Sequence, residues 1–279
     1  MVDGDRPTAS DEADRLPAIA VNLRAAARRY GTPLYLTDAG TLAAAAEEVR
    51  AAFPDPWIRQ YSVKANDVAA LVARVATHGF GANVVSLGEW SIARRAGLPN
   101  QAITFEGIGK TDADLRAVVA AAAAGDPLRW VTVESADEAA ALSDMARRAG
   151  SVRLDVLVRF NPAVEPETQH GLAVGAGSSK FGLADDELGA AIEAGGGPDG
   201  PLRWRGLHLH VGSQLGAIDA WRDAVRRALA LVGLLGGGLP AFDTLDVGGG
   251  FPVGALGDPS PRPERFAREL PAQIGRAHV

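Results

Sequence analysis

Lysine is scarce in this chain, and one lysine lies where an amine could do chemistry. Among 28 basic residues only three are lysines, Lys64, Lys110 and Lys180. Arginine can supply charge elsewhere, but it keeps its proton near neutral pH and cannot act as an amine nucleophile. Lys64 closes an apolar run at 61–63. If that run is a strand pointing into a pocket, desolvation favours the free, nucleophilic amine; a surface lysine at a strand end is the plain alternative.

Two glycine-containing segments could bind an anion. Gly248, Gly249 and Gly250 follow an apolar run at 244–247, and Gly212-Ser213 follows another at 206–211. Glycine allows close backbone approach and lets N–H groups point at an anion, as a phosphate site requires. Each segment alone is equally compatible with a tight turn. Together, at one end of a sheet, they favour phosphate binding, with Ser213 adding a hydroxyl donor.

A pair of histidines allows three interpretations. His208 and His210 are two residues apart on one predicted strand, so their side chains point to the same face. They could form a metal pair as in barrel hydrolases, or one imidazole could stack on an aromatic cofactor, or both could be buried with backbone partners. A metal pair needs further ligands, and the remaining histidines follow no obvious strand end. We therefore expect no metal site.

The elements that must position these residues alternate between short β-branched runs and alanine-rich helical segments. This alternation predicts βαβ units and a parallel sheet, and its repetition favours a (β/α)₈ barrel over an open doubly wound sheet. Functional groups of such barrels collect at the carboxyl ends of strands, where Lys64, His210 and the glycine segments all stand. The strand runs are 33–37, 59–63, 82–86, 102–105, 130–133, 154–160, 206–211 and 244–247, and the helical segments are 41–53, 68–78, 87–96, 112–124, 136–149, 185–194 and 220–235.

Bulk composition excludes several classes of protein. The chain has 279 residues and a net charge of -6, which argues against a nucleic-acid partner. No apolar run approaches the roughly 18 residues of a membrane span. Residues 1–14 are polar and acidic, unlike a signal peptide, and are expected to form a disordered tail. The absence of cysteine excludes disulfides and thiolate sites, and it fits a cytoplasmic protein.

Seven motifs, taken in order, resemble the fold-type III pyridoxal-phosphate (PLP) decarboxylases, which include the diaminopimelate, ornithine and arginine decarboxylases. Individually they are moderate signals, but their joint order is specific, and several resemble the diaminopimelate enzymes more than the ornithine enzymes. The motifs are Y-S-V-K-A-N at 61–66, S-L-G-E at 86–89, F-E-G-I-G-K-T at 105–111, V-R-F-N-P at 158–162, S-S-K-F-G at 178–182, H-V-G-S-Q at 210–214 and L-D-V-G-G-G-F-P at 245–252.

The resemblance implies pyridoxal 5'-phosphate as cofactor and a role for each site residue. Lys64 would be the catalytic residue that holds PLP through a Schiff base, and His210 would stack on the ring. Ser213 and the Gly248 to Gly250 loop would bind the phosphate, and Arg159 would lie near the cofactor and order the site. Asn83 would also contact the cofactor region. The family usually has an acidic residue at that position, so the charge near Lys64 differs here.

The implied function is decarboxylation of meso-diaminopimelate to L-lysine and CO₂, the last step of lysine biosynthesis. The partners would be a small amino-acid substrate and, as in the family, a second copy of the chain in a homodimer. Two alternatives stay open: a non-catalytic PLP-binding protein, and a decarboxylase of another basic amino acid such as ornithine, arginine or carboxynorspermidine.

The implied fold is the PLP-binding (β/α)₈ TIM-type barrel of the alanine racemase-like type, lacking its last strand. It would occupy 30–279, after a polar tail and first helix at 1–29. The family's E-P-G-R motif, whose glutamate pairs with the pyridine nitrogen, does not follow Phe251, nor does a C-terminal β domain. We therefore expect a truncated form of reduced activity. The run at 33–37 belongs with the second domain in the family, which leaves seven barrel strands and a gap between the Lys64 and Gly248 strands.

Overall fold

The seven strands of this protein form one parallel sheet whose order follows the chain. The computed structural model describes residues 9–150, 152–164, 179–252 and 261–270, with side chains from residue 19 onward. Each strand pairs with the next, and all six pairings are parallel. The strands are β1 Gln60–Ser62, β2 Gly81–Val84, β3 Ile103–Phe105, β4 Trp130–Val133, β5 Leu154–Phe160, β6 Leu202–Leu209 and β7 Thr244–Asp246.

The sheet curls like a barrel wall but stays open at one place. Ligand atoms of Glu106, His208 and Asp246 lie within 4.8 Å of one another. His208 and Asp246 lie on the neighbouring strands β6 and β7, but Glu106 follows β3, which two further strands separate from β6. Only a curled sheet brings them together. Within the described residues β1 and β7 do not pair with each other. This confirms the predicted barrel of seven strands with its gap between the Lys64 strand and the Gly248 strand.

Helices follow the strands and cover the outside of the sheet. The predicted helices are confirmed, with small differences at their ends. The helices are α1 Ala9–Tyr30, α2 Ala39–Ala52, α3 Ala69–Ala76, α4 Leu87–Arg95, α5 Asp112–Ala123, α6 Ala136–Arg148, α7 Leu188–Ala194, α8 Asp219–Leu235 and α9 Pro263–Ala267, with 3₁₀ turns at Val63–Ala65 and Asn100–Ala102. No helix in the described part of the chain is long and apolar enough to cross a membrane.

Three successive helices begin by the same local device. In α4, α5 and α6 a serine or threonine N-cap accepts a hydrogen bond from the backbone N–H of the residue three positions later. Each cap satisfies one of the N–H groups that a helix start leaves unpaired. The pairs are Ser86 with Glu89, Thr111 with Asp114 and Ser135 with Glu138. Each cap therefore fixes the residue at which the helix begins. The side chains that follow the strands lie just before these caps, at the carboxyl end of the sheet.

Alternation along the strands separates an apolar face from a polar one. Val131 and Val133 of β4 belong to the hydrophobic core, together with Leu142 of α6. Thr132 between them and Arg159 of β5 are polar and buried. Because side chains alternate along a strand, the polar set faces the inside of the curled sheet. The interior of this barrel therefore carries polar groups, and its hydrophobic core lies between sheet and helices.

Two predictions at the amino-terminal end are wrong. Residues 31–38 form no regular element, and Tyr35 is fully exposed, so the predicted strand at 33–37 is absent. A strand needs a neighbouring edge for its backbone groups, and none pairs with this run in the described chain. The predicted tail at 1–14 is helical from Ala9 onward, because strong helix formers such as alanine, leucine and arginine dominate Ala9–Tyr30. Residues 1–8 lie outside the described part.

Candidate active site

Residues predicted to bind the cofactor meet at the carboxyl ends of β1, β6 and β7. Lys64 lies in the 3₁₀ turn that follows β1, His210 follows β6, and the glycine loop 248–250 follows β7. The loop contacts the segment after β6 in two places. The Gly249 N–H donates to His210 Nδ1 at 3.4 Å, and the Leu215 N–H donates to the Gly250 carbonyl at 3.1 Å. The two predicted phosphate segments are therefore neighbours, as their order along the sheet requires.

The glycine loop leaves its middle residue open. Gly248 and Gly250 have φ angles of +68° and +90°, a region that side chains disfavour. A Cβ at Gly248 would lie 2.3 Å from the Leu209 carbonyl oxygen, and one at Gly250 would lie 1.9 Å from the Gly212 carbonyl oxygen. A Cβ at Gly249 would meet nothing within 4 Å. The outer glycines are required by close packing, and the central backbone faces free space that an anion could occupy.

His210 carries a neutral imidazole next to this loop. Burial lowers the pKa of His210 to about 3, and the nearby His208, Arg159 and Lys64 act in the same direction. Since Nδ1 accepts from Gly249, the proton of the neutral ring is on Nε2. A neutral, flat ring at this position suits stacking on an aromatic cofactor. Ser213, the predicted phosphate ligand, lies half-buried on the loop that follows.

Arg159 is held in place by a buried ion pair. Its Nη1 donates to both carboxylate oxygens of Glu134, at 2.8 and 2.9 Å, and both side chains are almost fully buried. The guanidinium also lies 4.7 Å from the ring centre of Phe181. These contacts fix the arginine at the end of β5. Its predicted role in ordering the site fits a guanidinium that cannot swing away.

Lys64 is less enclosed than we expected. The residue is exposed, whereas the neighbouring Val63 is fully buried. The expectation of a desolvated amine is therefore wrong for the described chain. The physical reason is that β1 is an edge strand of the open sheet, and among the described residues no strand pairs with its far side. The positive charge of Lys64 still acts on the buried Glu106 and His208, which places it at the same end of the sheet.

A buried cluster of Glu106, His208 and Asp246 lies beneath these residues. His208 Nε2 is 3.5 Å from a Glu106 carboxylate oxygen. Burial raises the pKa of Glu106, and the amide of Asn83 acts against that shift. Burial and the Glu106 charge raise the pKa of Asp246 to about 6, while burial lowers the pKa of His208 to about 4. Two close carboxyl groups that resist ionising together can hold a proton between them.

The acidic members of this site were not assigned roles from the sequence. Glu106 and Glu134 each directly follow the last residue of a strand, and that position was a usable signal. Asp246 lies inside the motif around the glycines but was overlooked. The metal interpretation rested on His208 together with His210, whereas the cluster that could hold an ion combines His208 with two carboxylates.

This end of the sheet fits a flat, phosphorylated cofactor. The loop at 248–250 forms a cradle whose outer positions exclude a Cβ and whose centre is open. Glu106 Oε1 and His208 Nδ1 are buried without a hydrogen-bond partner among the described residues. Such unpartnered polar atoms are costly unless something polar meets them. The residues that would hold such a cofactor are Lys64, Asn83, Arg159, His210, Ser213, Gly248, Gly249 and Gly250. Their individual roles stay predictions.

Comparisons with known proteins match most of this chain. The family model described as "Pyridoxal-dependent decarboxylase, pyridoxal binding domain" matches residues 39–277. A curated diaminopimelate decarboxylase of Aquifex aeolicus is 34% identical over 84% of this chain and 54% of its own length. One from Actinosynnema pretiosum is 36% identical over 81% of this chain and 49% of its own length. The chain thus spans about half the length of these curated relatives.

Solved structures agree with the architecture. The crystal structure of diaminopimelate decarboxylase from Helicobacter pylori complexed with L-lysine superposes with a TM-score of 0.77 at 26% identity. The match covers 85% of this chain and 59% of that one. The open, seven-stranded sheet is therefore a large part of the barrel of that enzyme class.

Proposed function

Because this chain belongs to the pyridoxal-dependent decarboxylases, through their pyridoxal binding domain, we propose that it is the cofactor-binding part of a diaminopimelate decarboxylase. The reaction would convert meso-diaminopimelate to L-lysine and CO₂. The observation that carries the proposal is the meeting of Lys64, His210 and the glycine loop at one end of the sheet. The identity of 31–36% to several curated diaminopimelate decarboxylases supports the choice of substrate.

Each residue has a task that its geometry supports. The open backbone at Gly249 and the Ser213 hydroxyl would bind the phosphate, while the neutral His210 ring would support one face of the pyridine. The Lys64 amine, exposed at the open edge, would hold the cofactor through its aldehyde carbon. When bound, PLP supplies an electron sink for the carbanion left by loss of CO₂.

The carboxyl groups of Glu106 and Asp246 can hold a proton beside that site. Burial raises the carboxyl pKa values of Glu106 and Asp246, that of Asp246 to about 6, so a proton can stay on a carboxyl oxygen in mildly acidic solution. His208 stays neutral and can accept a hydrogen bond there. A hydrogen bond with Asn83 and the positive charge of Arg159 both lower the pKa of the Glu106 carboxyl, against the effect of burial. This arrangement would keep polar groups, and no net positive charge, at the bottom of the candidate cofactor site.

Chemical trapping tests the assignment of Lys64. Purified chain is incubated with PLP, reduced with borohydride and digested, and the modified peptide is identified by mass spectrometry. We expect one phosphopyridoxyl group on Lys64 and its loss in Lys64→Ala. Lys180→Ala serves as the matched control, since it removes another of the three lysines. Equal labelling of Lys110 or Lys180, or unchanged total labelling in Lys64→Ala, would contradict the assignment.

Substrate choice is tested by CO₂ release. The chain loaded with PLP is offered carboxyl-labelled meso-diaminopimelate, lysine, ornithine and arginine separately. Release from diaminopimelate alone supports the proposal, and release from ornithine or arginine supports a decarboxylase of another basic amino acid. Trapping on Lys64 without release from any substrate would identify a non-catalytic PLP-binding protein. No trapping, with a metal retained after dialysis, would favour the hydrolase interpretation of His208.

Assembly and location complete the proposal. We propose that the chain acts on a small amino acid in the cytoplasm and forms a homodimer, by likeness to the family it belongs to. Light scattering after gel filtration measures the mass directly. A dimer of twice 28.9 kDa is expected, and a monomer at micromolar concentration would contradict it.

A further inference from the structure

The opposite end of the sheet contains a second set of polar groups that the proposed function does not use. Two adjoining cavities of about 350 Å³ each lie there, and both are lined by Ile58 and Arg129. Gly81 and Thr244, which begin β2 and β7, also line them. The cavities therefore lie at the amino ends of the strands. Thr244, in the lining of one cavity, precedes Gly248 by four residues, so at roughly 3.3 Å per residue it lies roughly 13 Å from the glycine loop.

The unpartnered atoms around these cavities are all hydrogen-bond donors. Arg59 Nε, Arg129 Nε and Trp130 Nε1 are buried without a partner in the described part of the chain. All three residues line one or both cavities, and Trp130 is only 8% exposed. A buried donor without an acceptor is destabilising. A bound group with hydrogen-bond acceptor atoms would satisfy these three donors.

Arg129 differs from the arginines around it. Arg59 pairs with Asp55, and Arg205 pairs with Asp155 and Asp243. Among the described residues Arg129 has no carboxylate partner within ion-pair distance, and its guanidinium lies 5.5 Å from the ring centre of Trp130. Partial burial lowers the pKa of Arg129, and no acid of the described chain acts against that shift. An acceptor with negative charge would compensate this half-buried cation, whereas water would satisfy only the donors.

We propose that the cavities around Arg129 and Trp130 form a binding site for a small oxyanion, a carboxylate or a phosphate. The planar guanidinium can bind two oxygens of either group, and the indole N–H can donate to a third acceptor position. Arg59 adds a further donor on the side of Trp57. The site is separate from the cofactor site and does not depend on the proposed decarboxylase activity.

Calorimetry with defined anions tests this site. The full chain, with PLP fixed by borohydride, is titrated with inorganic phosphate and separately with malonate at constant ionic strength. We expect saturable binding of at least one anion, weakened about tenfold or more in Arg129→Gln. Trp130→Phe, which keeps the ring but removes the N–H, should weaken it several-fold. Arg116→Gln is the control, because that arginine is exposed on α5 and pairs with Asp112.

The two anions distinguish the source of the oxygens, and two results would overturn the proposal. Tighter binding of phosphate or of malonate assigns the site to that class. Absence of saturable binding in the parent chain would show that water alone fills the cavities. Binding that is unchanged in both Arg129→Gln and Trp130→Phe would place the anion elsewhere, including the glycine loop at the other end. Circular dichroism of each variant shows whether it is folded before titration.

Discussion

Single charged side chains set the energetics inside the curled sheet. Arg159 and Glu134 are both buried, and removing either charge from water costs free energy. The two hydrogen bonds between them offset that desolvation cost, which would remain uncompensated if one partner were lost. Arg159 belongs to β5 and Glu134 directly follows β4, so the pair also links β5 to the end of β4. The strength of this contact can be measured by removing one charge.

Replacing Glu134 by glutamine is expected to destabilise the fold. The substitution keeps the shape but leaves the Arg159 guanidinium buried without its counter-charge, which should lower the free energy of unfolding by about 3 kcal/mol. Urea unfolding measures the change. Asp112→Asn is the control, since its partner Arg116 is exposed and the loss should stay below about 1 kcal/mol. Equal effects of the two substitutions would contradict the buried pair.

Asp246 is expected to make stability fall as pH rises. Its pKa is raised from 3.8 to about 6 by burial and by Glu106. The folded state therefore keeps a proton that the unfolded state releases between pH 4 and 6, so this group's contribution is most favourable below pH 4 and is lost by about pH 6. Asp246→Asn cannot ionise and should be more stable than the parent above pH 6 by about 1 to 3 kcal/mol. Parallel pH profiles for the two proteins would contradict this.

At the scale of elements, the strand-to-helix connections were the most predictable part. The helices predicted at 87–96 and 136–149 begin directly after Ser86 and Ser135, and each serine caps its helix by a hydrogen bond between residues only three apart. The strand at 33–37 failed for the opposite reason. Its composition favours a strand, but a strand forms only where a neighbouring edge exists, and that is a property of the whole fold.

The glycine loop offers a prediction at the same scale. Gly250→Ala would force a side chain to a φ of +90° and place its Cβ 1.9 Å from the Gly212 carbonyl oxygen. We expect a loss of about 2 kcal/mol or more in unfolding free energy, and weaker binding of PLP. Gly249→Ala has open space and should leave the unfolding free energy of the chain without PLP within about 1 kcal/mol. Similar stability for both variants would show that the loop is not packed as described.

At the scale of the whole molecule, the open gap controls the exposure of the site. In the part of the chain that the structure describes, β1 pairs only with β2 and β7 only with β6, while β4 and β5 are flanked on both sides. Lys64 is exposed because it follows such an edge strand. The gap between β1 and β7 therefore determines how exposed the Lys64 amine is.

Hydrogen exchange should reveal this gap. Amides of the two edge strands, at 60–62 and 244–246, are expected to exchange faster than those of Leu154–Phe160, because no described strand pairs with the outer side of either edge strand. Mass spectrometry of peptides from the exchanged protein measures the difference. Protection of β1 equal to that of β5 would show that the edge is covered in solution.

The sequence alone was sufficient for the fold class, the order of the strands, the missing strand and the placement of Lys64, His210 and Gly248 to Gly250 at strand ends. The strands, the helices and the strand-end residues follow from local periodicity and from motifs whose residues are close in the chain, whereas the missing strand was implied by the resemblance to the family. Only the tertiary structure showed that Glu106, His208 and Asp246 form one cluster, that Glu134 holds Arg159, and that Lys64 is exposed. Such facts depend on how far the sheet curls and where it stays open, and no local pattern encodes the distance between strands that are far apart in sequence.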